Sequence, residues 1–252
     1  MKLTFDRNLF TQIGLDSGSL NMLGTLAHSL SEPGQYRCAV YRGTENIAAC
    51  HIVADKDSPV AQVNIDLSTL DPSIIAAPSG SVADQGPRCC GESPGSPTIP
   101  FTVNPKGYIV FHVSSGAGGY AITVRKAAED PKTKIFDSRE LSKGDVFSAA
   151  IIRPGTYSVE NVLTHAKGHL TVAYPRMGDT AYRPPKPVEF QCSAHEIEPG
   201  RVDLQPGQGI NFHFNVRSRI KIELLKADDG PGKPLGPTSR GWKRATLIRT
   251  NR

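Results

Sequence analysis

Long apolar runs are missing from this 252-residue chain. No window approaches the roughly 18 consecutive apolar residues of a membrane span, so no transmembrane segment is expected. Residues 2–14 lack the apolar core of a signal peptide, because Asp6, Arg7 and Asn8 interrupt it; the expectation is a cytoplasmic protein. Aromatic residues are 7% of the chain, with a single tryptophan, which is sparse for a protein that binds sugars or bases by stacking. The cysteines (Cys38, Cys50, Cys89, Cys90 and Cys192) are odd in number for so long a chain. That excludes a closed disulfide framework and favours free thiols in a reducing compartment. Catalytic signatures are also missing. There is no Gly-x-Ser-x-Gly, no His-Glu-x-x-His and no carboxylate pair in a recognisable frame. Gly116-Ala117-Gly118-Gly119 lies between predicted strands and has no helix N-terminus to bind phosphate. The expectation is a protein that is not an enzyme and carries no cofactor.

Turn formers are abundant: Gly 24 and Pro 20 predict many short strands and few helices. Residues 1–70 read as a first β unit. Gln35–Tyr41 and Ile47–Ala54 are strand-like, and a three-residue loop at Gly43–Glu45 would set Cys38 opposite Cys50. Val60–Leu67 alternates as a further strand, whereas Asn21–Leu30 fits a helix or a strand equally. Residues 71–97, rich in Pro, Ser and Gly, read as a linker. Residues 98–175 form a second unit, with strands at Tyr108–Val113, Tyr120–Val124, Val146–Ile152, Thr156–Val162 and His169–Ala173. Residues 176–225 form a third β portion, in which Ile210, Phe212, Phe214 and Val216 alternate with polar residues along one sheet face. The fold class expected is all-β, with two or three antiparallel sandwich-like units and an extended basic tail at 226–252.

Two segments echo each other. Glu32-Pro33-Gly34-Gln35-Tyr36 and Arg153-Pro154-Gly155-Thr156-Tyr157 both set Pro-Gly-x-Tyr before a strand, and Pro105–Gly107 before Tyr108 parallels Pro206–Gly209 before Ile210. Either a sandwich unit is repeated, or a common turn chemistry recurs on its own.

Charge is concentrated at one end. Residues 226–252 hold seven basic and two acidic residues, a surplus equal to the net +5 of the whole chain; residues 1–225 balance at 22 against 22. The only tryptophan lies there, in Gly241-Trp242-Lys243-Arg244, with Arg249 beyond. A ring that fills a pocket while cations meet an acidic rim suits a docking anchor. Trp242, Lys243, Arg244 and Arg249 are therefore the candidate partner-binding residues. The partner expected is a protein with an acidic surface, or another copy of the chain. Nucleic acid is less favoured, because the surplus charge is not interleaved with aromatics.

Lys106-Gly107 before Tyr108–Val113, Leu141-Ser142-Lys143-Gly144-Asp145-Val146-Phe147 and Pro154-Gly155-Thr156-Tyr157 together make 98–175 resemble a cupredoxin domain. The resemblance implies a β-sandwich and, in the family, a blue copper site of two imidazoles, a thiolate and a thioether. Asn161 stands where the family's cysteine follows the tyrosine, Tyr120-Ala121 where the first histidine starts its strand, and Met177 lies past the strand that follows the loop. The fold carries over and the copper does not.

His165 and His169 are the remaining metal candidates, two imidazoles where zinc or copper want three or more protein ligands. Cys89 and Cys90 could join Cys38, Cys50 and His51 around zinc, Cys38 and Cys50 could form a disulfide, and Cys192-Ser193-Ala194-His195 has copper-loop spacing but no methionine after it. The function expected is a non-catalytic structural or interaction subunit of a larger assembly, docked partly through its tail. The alternatives are a copper- or zinc-binding sandwich, and a carbohydrate- or surface-binding module using Tyr108, Tyr120 and Tyr174.

Overall fold

A computed structural model describes residues 13–71, 100–128, 133–173 and 185–228. Cys89, Cys90, Tyr174, Met177, most of the linker and the four tail residues Trp242, Lys243, Arg244 and Arg249 lie outside the described residues.

The architecture is all-β, with three sheets and, among the described residues, a single four-residue helix. In chain order the first eight strands are β1 (Gly14–Asp16), β2 (Gly24–Ser29), β3 (Gly34–Arg42), β4 (Glu45–Ala54), β5 (Gln62–Asp66), β6 (Phe101–Val103), β7 (Tyr108–His112) and β8 (Tyr120–Lys126), with α1 (Leu67–Leu70) after β5. The remainder are β9 (Phe136–Asp137), β10 (Val146–Ala150), β11 (Gly155–Asn161), β12 (Lys167–Val172), β13 (Val188–Cys192), β14 (Ile197–Glu198), β15 (Arg201–Leu204), β16 (Gly209–Phe214) and β17 (Ile220–Ala227).

The sheet orders are β1-β17-β11-β12-β15, β14-β13-β16-β10-β2-β7-β5 and β6-β4-β3-β8-β9. They are mixed, because β4 with β6, β5 with β7, β12 with β15 and β13 with β16 are parallel. The stretches 1–70, 98–175 and 176–225 all contribute strands to the seven-stranded sheet. Its inward side chains Leu26, Ile65, Phe111, Phe147, Phe190 and Phe212 share one core cluster with Tyr36, Ile52 and Ile122 from one five-stranded sheet and Tyr157, Leu170 and Ile222 from the other.

The strand orders reveal a repeated unit. β2 to β8 and β10 to β17 follow the same path, with β14 as the one addition, and each repeat holds its pair of parallel contacts at the same places. The Pro-Gly-x-Tyr echo is thus a structural repeat. In both copies the tyrosine hydroxyl donates to the carbonyl four residues back, Tyr36 to Glu32 and Tyr157 to Arg153, each at 2.6 Å. This is the corner bond that fixes a chain's turn into a sandwich strand.

The repeats exchange their first strands. β1 pairs with β17, the last strand of the second repeat, and β9 pairs with β8, the last strand of the first. The two exchanged segments are built alike, Leu15-Asp16-Ser17 onward and Phe136-Asp137-Ser138 onward. Ser17 and Ser138 each donate their backbone N–H to an isoleucine carbonyl, Ile220 and Ile122, and accept that isoleucine's N–H on Oγ. Asp16 and Asp137 each accept the N–H two residues on. At the centre of the seven-stranded sheet, β2 of one repeat pairs with β10 of the other. A bidentate ion pair, Arg219 Nε and Nη2 to Asp16 at 2.9 and 2.8 Å, fixes β1 to the start of β17.

Two local expectations are refined. Asn21–Leu30 resolves as a strand, β2, with Leu26 and Leu30 buried. Cys38 does lie opposite Cys50, but the turn between them has two residues, Gly43 and Thr44, and a bulge at Val40/Tyr41 restores the register.

Candidate functional site

Asn161 ends β11. It is fully buried, and its amide donates to Ser218 Oγ at 2.9 Å while its Oδ1 accepts from the backbone of Leu163 at 3.2 Å and Arg219 at 3.1 Å. One side chain therefore ties the loop 162–166 to the start of β17. A side chain that only accepts could not make the bond to Ser218, so the amide is what holds the loop.

His165, in that loop, has a left-handed backbone (φ 63°) and directs Nδ1 towards Glu160 at 3.5 Å. His169 stands on β12 opposite Ser158. Among the described residues no group of three or more His, Cys, Asp or Glu side chains is gathered for a metal. Cys192 is buried on β13, and burial pushes its thiol up to about 12. Cys38 and Cys50 are both buried and free. The hydrogen bond between them raises the Cys38 thiol, with burial adding to the shift.

Tyr120 begins β8. It is fully buried, with its hydroxyl donating to Asp71 at 2.8 Å and accepting from Arg42 at 2.9 Å. The Arg42 guanidinium lies 5.0 Å from the ring centre and also pairs with Asp71 at 2.5 Å. Tyr120 is thus unavailable for stacking a ligand, unlike Tyr108, which is exposed on β7. Burial, reinforced by the Asp71 carboxylate, pushes the Tyr120 phenol to about 12. Since the unfolded phenol titrates near 10, this contribution is complete below pH ~10 and is lost as pH rises towards ~12. Unfolding by urea across that window is expected to show a decline on the order of 2 kcal/mol that Tyr120→Phe makes shallower. Identical pH slopes for the two proteins would assign the loss to other groups.

Sequence reasoning missed the pair at the junction of the repeats. His28 on β2 meets Asp145, at the start of β10, at 2.7 Å, and Asp145 accepts from the Ser142 backbone at 2.7 Å. The carboxylate is buried, and the imidazole lies 4.8 Å from the Phe136 ring. A carboxylate that orients an imidazole is half of an acid–base unit. Here both partners bridge two strands, and the Ser142 hydroxyl bonds the carboxylate, not the imidazole. No local signal could have joined residues 117 apart in sequence. The repeats also share a histidine after the matching Ile-x-Phe of β7 and β16: His112 lies 3.9 Å from Asp66, and His213 lies 2.8 Å from Glu189.

The open grooves follow the repeat as well. One runs beside β1 over Ile13–Asp16 and Lys221–Leu225, and a second beside β9 over Lys134–Asp137. Ile13 and Leu225 are exposed apolar residues at the first of these, where Leu224 donates to the Ile13 carbonyl at 2.8 Å. No described helix is long and apolar enough to cross a membrane. No family model, curated protein or solved structure matches this chain.

Proposed function

We propose that this protein is a non-catalytic structural or interaction subunit of a larger protein assembly, docked in part through residues 226–252. The observation that carries the reading is the partition of charge: a body balanced at 22 basic and 22 acidic residues, and a tail that holds the whole surplus of five. In Gly241-Trp242-Lys243-Arg244 an indole can fill an apolar pocket while the cations meet an acidic rim. The partner is an acidic protein surface, on a different protein or on a second copy. The body is consistent with this role, because its buried polar side chains are engaged in holding strands and loops, as at Asn161, Asp145 and Tyr120. The cupredoxin likeness enters as shared strand and turn chemistry, with an amide where the copper thiolate would stand.

The test is mass spectrometry of what co-purifies from nuclease-treated native lysate. The full chain is compared with a variant carrying Trp242→Ala, Lys243→Glu and Arg244→Glu. A defined set of proteins is expected with the former and lost with the latter. The same set from both would overturn the reading.

A further inference from the structure

Two repeats that follow one path allow each buried position to be compared with its twin. In both, the corner tyrosine is followed two residues later by an inward side chain, Cys38 after Tyr36 on β3 and Val159 after Tyr157 on β11. Val159 lies opposite Gly168 on β12, whereas Cys38 lies opposite Cys50 on β4. One repeat fills the position with hydrocarbon, so the sandwich does not need sulfur there. The other sets two thiols against each other.

Their placement meets the requirements of a disulfide. Directly opposed residues of an antiparallel ladder have Cα atoms about 4.5 or 5.5 Å apart, and a disulfide spans about 4.4–6.8 Å. Cys38 and Cys50 are both buried and free, so the two side chains share the inward face, and a hydrogen bond joins them. That bond also makes them unlike. The Cys38 thiol donates to the Cys50 sulfur, which holds Cys38 above the usual thiol range and Cys50 below it. Cys50 is the readier nucleophile, because the thiolate is the reacting form. It also lies on a less supported stretch of strand. β4 pairs with β6 only over Ile52–Ala54, so at Cys50 the far side of β4 has no ladder partner among the described residues. Local opening of that edge is the easiest route for a small oxidant.

We infer that Cys38 and Cys50 are a modification site, a dithiol that a peroxide converts reversibly to a disulfide. The Cys50 thiolate attacks one peroxide oxygen, the O–O bond breaks and hydroxide leaves, so that Cys50 becomes a sulfenic acid. The Cys38 sulfur then attacks the Cys50 sulfur and the S–O bond breaks. The departing hydroxide takes the Cys38 proton and leaves as water, while the first hydroxide takes the proton that Cys50 gave up. The two sulfurs lose two electrons and the peroxide oxygens gain them. Two thiols and one hydrogen peroxide thus become one disulfide and two waters. The new bond staples the hairpin of the two longest described strands.

The test uses the reduced full chain and an excess of hydrogen peroxide. At intervals the reaction is quenched, the protein is unfolded, free thiols are blocked with N-ethylmaleimide, and tryptic peptides are weighed. Trypsin cuts after Arg37, Arg42 and Lys56, so the two cysteines fall in separate peptides, 38–42 and 43–56. The expected product is these two peptides joined with the loss of two hydrogens and released by dithiothreitol. Cys192, a buried free thiol on β13, is the internal reference and is expected to be lost at least about tenfold more slowly. The linked protein is expected to melt roughly 5–10 °C above the reduced one. Cys38→Val, which carries the residue of the other repeat, is expected to melt at the same temperature with and without peroxide. Recovery of both peptides blocked with maleimide would overturn the inference, as would Cys38 or Cys50 joined to Cys89 or Cys90 in place of each other. Loss of Cys192 as fast as the linkage forms would also overturn it, since general opening of the fold would then explain the reaction. A rise of equal size in Cys38→Val would show that the linkage is not what raises the melting temperature and would overturn the staple.

Discussion

Phe212→Ala is expected to lower stability by about 3–5 kcal/mol and the melting temperature by roughly 10 °C or more. Phe212 is fully buried on β16, and its ring stacks between Phe147 at 5.9 Å and Phe190 at 4.8 Å. All three belong to adjacent strands of the seven-stranded sheet, so the ladder holds their backbones apart and the space left by the ring cannot close. Phe111, its counterpart in the first repeat, stacks on Phe136 at 5.7 Å, and Phe111→Ala is expected to cost a similar amount. Calorimetry should give a single transition for both variants, because the β2–β10 ladder and the exchanged first strands bind the repeats into one cooperative body. A separate early transition in either variant would show the repeats unfolding independently.

Asn161→Ala is expected to cost about 2–4 kcal/mol, since it takes the acceptor from the part-buried backbone N–H groups of Leu163 and Arg219 and removes a buried bond to Ser218. Urea unfolding measures the loss directly. Asn161→Cys is expected to share most of it, because the thiol cannot replace the amide donor and acceptor together. A loss below about 1 kcal/mol for Asn161→Ala would mean that water replaces the amide and that the loop does not depend on it.

Most strands with enough residues to show a period were legible in the sequence. The alternation at Ile210, Phe212 and Phe214 became the buried face of β16, and the opposed Cys38 and Cys50 appeared as expected. The strands that escaped notice, β1, β6, β9, β13, β14 and β15, have two to five residues each, and most are too short for an alternation to be seen. What makes them strands is a partner distant in sequence, as when Gly14 meets Glu223. Parallel pairing was hidden for the same reason: β5 and β7 are separated by α1 and β6, and nothing in either strand states its direction. The repeat was half legible. Pro-Gly-x-Tyr showed it, while Leu15-Asp16-Ser17 against Phe136-Asp137-Ser138, and Ile109-x-Phe111-His112 against Ile210-x-Phe212-His213, were equally readable signals that went unused. The candidate site was less legible, because a contact such as that of His28 with Asp145 exists only once β2 and β10 are known to be neighbours.

The exchange of first strands also fixes how the described fold bears tension. β1 and β17 are antiparallel neighbours, and Ile13 and Leu224 are joined by a backbone hydrogen bond where β1 begins and β17 nears its end. A pull applied through residues 13 and 228 acts at the same end of this ladder and across its hydrogen bonds. It therefore opens them one after another, as a zip is drawn, instead of loading them together. The strand that closes the second repeat is thus the first to peel away under force, and its loss uncovers the edge of β17.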